Sequence, residues 1–262
     1  EFKQSPLFDE RVKNGELPPV EERLPEDPPV MEPYEEIGKY GGTVNSWDRQ
    51  LFYYEAAYFN SHNNSGGRPT PEGSKIVPNL LEGWEYSDGY KKLTIHLRKG
   101  LKWSDGEEVT ADDYIYWWEH YAKNRDLEPL PPEEWRPALL DVTKEDKWTI
   151  TLTYGTPVPN QHIWFKNHMG ANWSLAPSHF MKQFHPDFVG KEKVVAMAEE
   201  VGLDRWDEYY SRVQDSSWQH PEFEVSRPVI NPYIAVERTE TTVVLERNPY
   251  YPFVDTEGNQ LP

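Results

Sequence analysis

The chain has 262 residues, of which 45 are acidic and 27 basic, giving a net charge of −18. At about 150 residues per domain, that length is one large or two small domains, and the acidic excess excludes a nucleic-acid binder or a protein adhering to anionic lipid. There is no cysteine, which removes disulfides, thiolate metal sites and cysteine nucleophiles, and no run approaches the roughly 18 apolar residues of a membrane-spanning helix.

The chain opens Glu-Phe-Lys-Gln-Ser-Pro without the basic segment and apolar run of a signal peptide. It is expected either to be cytoplasmic or to have a leader outside this sequence. Residues 1–37 are dense in Glu and Pro, with Pro18-Pro19, Glu21-Glu22 and Pro28-Pro29. Prolines remove backbone donors and acids give nothing to bury, so an extended arm is expected, with a short helix around Phe8–Asn14. Lys39-Tyr40-Gly41-Gly42 leads into a first strand over Thr43–Trp47. Asn60–Ser74 is a polar loop. Lys92–Arg98 alternates at period two, with Leu93, Ile95 and Leu97 on one face of a strand. Leu101–Gly106 is a turn, and Thr110-Ala-Asp-Asp113 has capping-box spacing. Tyr114, Ile115, Trp117, Trp118 and Tyr121 continue from it at helical spacing.

Lys147–Thr153 alternates again and pairs with an arm around Leu140-Asp141-Val142 as a hairpin. Ser178–Phe184 and Lys191–Val201 are expected to be helical, the second ending at Gly202. Trp206, Tyr209, Tyr210 and Val213 mark a further amphipathic helix. Tyr233–Val236 and Thr241–Arg247 read as two strands. The interleaving lacks a strict βαβ rhythm, which predicts an α/β or α+β fold with a mixed sheet.

Chemistry is sparse in this pattern. The eight histidines stand apart, with no His-x-His and no His-Glu-x-x-His, so no metal site and no cofactor is expected. Asp255-Thr-Glu-Gly-Asn259 carries part of a calcium-loop pattern but lacks its longer acidic run, and reads as a hairpin turn. No Gly-x-Ser-x-Gly elbow, phosphate loop or dinucleotide fingerprint occurs, and nothing assigns an enzyme. The surplus of 11 Trp and 16 Tyr is the distinctive feature. Trp47, Phe52, Tyr53, Tyr54, Tyr58, Trp164, Phe165 and Trp173 lie in or near loops. They are either core rings or a stacking platform for the flat faces of sugars.

Pro78-Asn-Leu-Leu-Glu-Gly-Trp84 and the block "LRKGLKWSDGEEVTADDYIYWWEHY" from Leu97 resemble the family 5 extracellular solute-binding proteins, the oligopeptide/dipeptide-binding type that serves ABC importers. "TPVPN" from Thr156, "LAPSHFMKQFHPDF" from Leu175, "RPVINPYIAVE" from Arg227 and "VVLERNPYY" from Val243 follow in family order. The resemblance covers about residue 34 to the end. It implies a periplasmic-binding-protein type II-like fold with two lobes that close on ligand, of which this chain would hold one lobe and its inserted small domain. By that pattern 38–59 and 221–262 belong to the hinge-side domain, 60–220 to the inserted α/β domain, and the opposite lobe is missing. The implied function is capture of a small solute, oligosaccharide or peptide, outside the cytoplasmic membrane, with delivery to an ABC permease and no chemistry on the ligand. The aromatic excess points to the sugar. The expected ligand-facing residues are Trp47, Asp48, Trp173, Asn231 and Tyr233. A carbohydrate-active enzyme or its accessory module is the alternative from another class.

Overall fold

The computed structural model describes residues 1–45, 65–70, 72–161, 175–215, 227–239 and 241–262. Its centre is a four-stranded antiparallel sheet in the order β4-β5-β7-β6, formed by β4 (Leu81–Ser87), β5 (Lys92–Leu97), β6 (Leu139–Lys144) and β7 (Thr149–Tyr154). The alternation in β5 and β7 sets the register. Leu93 stands opposite Leu152 and Ile95 opposite Ile150, all buried, while Thr94 and Thr151 share a 3.0 Å hydroxyl contact. One face is therefore apolar and packed, as period-two patterning requires.

Helix α3 (Ala111–Tyr116) starts at the expected capping box of Thr110 and Asp113 and then widens into a π-helical turn over Trp117–Ala122. Tyr114, Trp117 and Trp118 cover the sheet, and with Leu81, Leu97 and Phe253 they belong to the main core. Tyr116 points the other way. It joins a second core with Met181, Val194, Trp206, Tyr209, Tyr210 and Val213. That core is built from α4 (Ser178–Met181) and its 3₁₀ extension Lys182–Phe184, α5 (Pro186–Val189), α6 (Lys191–Glu200) and α7 (Trp206–Asp215). The α6 helix ends as expected, with Gly202 at φ 78°.

The strands Tyr233–Arg238 (β8) and Val243–Arg247 (β9) form the expected hairpin. Asp255 and Gly258 close the predicted terminal turn, bringing Val254 opposite Gln260 in an antiparallel bridge. Of the expected first strand, residues 43–45 carry no regular structure, and Ser46 and Trp47 lie outside the described residues. Short pairs missed in the sequence are β2 (Gly67–Pro69) with β3 (Ile76–Pro78), and β1 (Val30–Met31) with β10 (Val254–Asp255), the last pair parallel. The main sheet is antiparallel throughout, and among the described residues the parallel pairing is that of β1 with β10 and the single bridge of Lys3 with Asn259.

Residues 1–33 correct the picture of an extended arm with nothing to bury. The short helix expected around Phe8–Asn14 is present as α1 (Asp9–Lys13), but the segment also forms α2 (Val20–Arg23) and buries Phe8, Leu17, Val20, Leu24 and the whole of Arg23. Arg23 supplies what the prolines withhold. Its guanidinium donates to the carbonyls of Pro18 (3.1 Å) and Pro249 (2.5 Å) and to the side-chain oxygens of Gln4 (2.6 Å) and Gln260 (2.9 Å). Downstream, Glu26 N–H donates to the Lys99 carbonyl, and Arg98 Nη1 donates to the Asp27 carbonyl. The segment is thus fastened both to the end of β5 and to the C-terminal residues.

Candidate functional site

Of the five expected ligand-facing residues, Trp47, Asp48 and Trp173 lie outside the described residues, as do Phe52, Tyr53, Tyr54, Tyr58, Trp164 and Phe165. Asn231 and Tyr233 are described, both half-buried, where the chain enters β8. The segment carrying them is held from two sides. Ser104 N–H donates to the Val229 carbonyl at 2.9 Å, and Val229 N–H returns a bond to Ser104 Oγ at 3.0 Å. Asn248, fully buried, donates from Nδ2 to the Asn231 carbonyl and from its backbone N–H to the Pro232 carbonyl, both at 2.8 Å. Its Oδ1 accepts Tyr250 N–H at 2.9 Å. Three sequence blocks, Lys102–Gly106, Arg227–Tyr233 and Arg247–Tyr251, therefore meet at one crossing point. A rigid support of this kind is what a binding residue needs.

The turn that supplies Ser104 is itself fixed. Gly106 has φ 94°, and a Cβ there would lie 2.8 Å from the Tyr250 hydroxyl, so only glycine fits. Asp105 accepts a 2.7 Å bond from His179 Nε2. That bond pushes the imidazole pKa up; for Asp105, partial burial alone would raise the carboxyl, but the bonds from His179 and Glu107 N–H prevail and hold it low. Asp113 is the hub behind this turn. Its Oδ2 accepts Trp103 Nε1–H (3.3 Å) and Thr110 N–H (3.1 Å), and its Oδ1 accepts Ser178 N–H (2.9 Å). Burial outweighs these donors and leaves its carboxyl pKa above the usual range.

The aromatic surplus among the described residues goes largely inward: Trp103, Tyr114, Trp117, Trp118, Tyr154, Trp206 and Tyr251 are all buried. A cleft of roughly 470 Å³ lies elsewhere, between residues 31–40 and the C-terminal segment, lined by Glu32, Tyr40, Arg247, Asp255 and Asn259 among others. Arg247 sits 5.2 Å over the Tyr40 ring in that cleft, and it stands opposite Tyr233 in the hairpin. Among the described residues, one group brings metal-type donors together: His120, His185 and Asp187. Sequence spacing could not reveal it, because 65 positions separate the two histidines.

The fold and these blocks define a class. Residues 75–260 match the family described as bacterial extracellular solute-binding proteins, family 5 middle region, and the chain belongs to that family. It is similar to the periplasmic alpha-galactoside-binding protein of Rhizobium meliloti, at 29% identity over 96% of this chain and 36% of that protein. It is also similar to the periplasmic oligopeptide-binding protein OppA of Escherichia coli, at 50% identity over 32% of this chain and 18% of that protein. Among solved structures, an oligopeptide-binding protein OppA superimposes with TM-score 0.83 at 32% identity, over 100% of this chain and 40% of that one. The periplasmic binding protein MelB from Agrobacterium fabrum C58, solved with stachyose, gives 0.74 at 28% identity over the same shares. The chain therefore spans about two fifths of the length of the proteins it matches along its whole extent.

Proposed function

We propose that this chain is part of the extracytoplasmic solute-binding component of an ABC importer, that its solute is an oligosaccharide carrying α-galactosyl units, and that it performs no chemistry on it. The observation that carries the sugar reading is the extent of likeness among the curated relatives, although a solved OppA structure also covers 100% of this chain. The likeness to the alpha-galactoside-binding protein leaves only 4% of this chain outside it, so it takes in most of residues 1–37. The curated peptide-binding relatives align over 16–40% of the chain. In this reading residues 38–59 and 221–262 form the hinge side, 60–220 the inserted domain, and the solute closes between this lobe and another. A ligand shifts such an equilibrium only by its differential affinity for the closed form. Trp47 and Trp173 would stack on sugar faces, while Asp48, Asn231 and Tyr233 would take hydroxyls. No helix among the described residues is long and apolar enough to cross a membrane, which is compatible with work outside the cytoplasm beside a separate membrane permease.

The full protein, titrated with stachyose and shorter α-galactosides, is expected to show a raised thermal midpoint and a calorimetric isotherm. Trp47→Ala, Trp173→Ala, Asn231→Ala and Tyr233→Ala are each expected to weaken binding about tenfold, a loss of about 1.4 kcal/mol. Unchanged affinity in all four would remove the site assignment. An oligopeptide is the second reading, favoured by the 0.83 superposition on OppA; a shift with short peptides alone would replace the sugar. Chromatography of the sugar after incubation separates both readings from a carbohydrate-active enzyme, which would return shorter products.

A further inference from the structure

We propose that His120, His185 and Asp187 form a binding site for one zinc-type divalent ion, joining the π-helical turn after α3 to the start of α5. His120 Nδ1 lies 2.8 Å from Asp187 Oδ2, and His185 Nδ1 lies 3.7 Å from the same oxygen. All three donor atoms fall within 4.8 Å of one another. Zinc bonds of about 2.0–2.1 Å in a tetrahedron separate ligand atoms by roughly 3.4 Å, so the two measured distances bracket what the ion needs. Two imidazoles and one carboxylate suit zinc far better than calcium or magnesium, which take oxygen ligands.

The surroundings match those of a metal-bound histidine. His185 is completely buried, and its Nε2 lies 3.0 Å from the His120 carbonyl. That bond fixes the proton on Nε2 and leaves the Nδ1 lone pair facing Asp187, the outer-sphere arrangement that orients metal-ligating imidazoles. Tyr116, Phe188, Trp206 and Tyr210 wall the ring edge-on, with centroids 5.3–6.4 Å away, so it cannot rotate freely. The bond competing for the His185 lone pair is long: Asp187 N–H to Nδ1 at 3.3 Å. Asp187 is 58% exposed at its side chain, so water reaches the remaining coordination position.

The test uses the full protein stripped with chelator and titrated with Zn²⁺ against a chromophoric competitor. One equivalent is expected to bind and to raise the thermal midpoint. Asp187→Asn and His120→Gln, which alter residues outside the buried core, are expected to weaken Zn²⁺ at least tenfold, while His96→Gln, remote from the cluster, leaves it unchanged. Co²⁺ is expected to give visible d–d bands that these two substitutions abolish, a readout independent of stability. Absence of stoichiometric Zn²⁺ binding, wild-type Zn²⁺ affinity in either variant, or a Ca²⁺ shift as large as that of Zn²⁺ would overturn the proposal. Solute binding is a separate measurement, and its failure leaves this result standing.

Discussion

Ser178, the first residue of α4, donates its backbone N–H to Asp113 Oδ1 at 2.9 Å, so one buried carboxylate caps both its own helix and the start of another 65 positions later. The same carboxylate takes the Trp103 indole N–H. The main core, the second core and the turn that carries Ser104 thereby share one anchor.

Replacing Asp113 is expected to cost about 3 kcal/mol, since capping contributes about 1 and each buried donor left unmet costs 1–3. Asp113→Asn should be nearly as damaging as Asp113→Ala. Its amide would present N–H groups to donors that already converge there. Urea unfolding of both variants checks this, and a loss under 1 kcal/mol for the Asn variant would contradict it.

Arg23 makes four bonds, all to neutral acceptors, from a position with no exposed surface. Lysine keeps the charge but not the planar fork. Arg23→Lys is expected to lose about 2–4 kcal/mol and to release residues 1–33 first. Limited proteolysis should then cleave near Glu21-Glu22 well before the sheet is attacked. Cleavage at the wild-type rate would show that the segment is held by something else.

The pair His179 and Asp105 gives a pH signature. The His179 pKa is raised in the folded chain, so its contribution is complete below about pH 6.5 and is lost as pH rises through the raised value. The Asp105 pKa is lowered, so its contribution is present above about pH 3.9 and is lost as pH falls through the lowered value. The stability difference between wild type and His179→Gln should therefore be greatest near pH 5.5 and shrink by about pH 9. Partial exposure of both groups limits it to a few tenths up to about 1 kcal/mol. His185 titrates the other way, since burial lowers its pKa, but wild type and variant share that effect and it cancels. A difference that grows with pH would reverse the assignment.

Asn248 positions the segment before β8 without facing solvent itself. Asn248→Ala is expected to cost about 2 kcal/mol from the unmet Asn231 carbonyl and Tyr250 N–H. It should also weaken solute binding if Asn231 and Tyr233 touch the ligand. A destabilised variant with wild-type affinity would separate support from recognition.

Local pattern determined much of this protein. The alternation of Lys92–Leu97 and Thr149–Tyr154, the Thr110–Asp113 box and the Trp206–Val213 spacing each describe short-range geometry, and the corresponding elements formed. The motif blocks around Trp103, Asn231 and Asn248 were legible as strings, and they identified the family. Their reason was not legible: they meet because Ser104 bonds Val229 and Asn248 bonds Asn231, contacts 125 and 17 positions apart. Residues 1–33 were misread for the same cause. Proline and glutamate content predicts how a segment behaves alone, whereas the burial of Arg23 depends on carbonyls and amides from residues 249–260. The meeting of His120 with His185 and Asp187 is likewise tertiary, since no regular element spans their separation. Periodicity is a property of neighbours along the chain, so it fixes elements. Partners for buried polar groups come from wherever the fold brings an acceptor within about 3 Å, and only the three-dimensional arrangement chooses them.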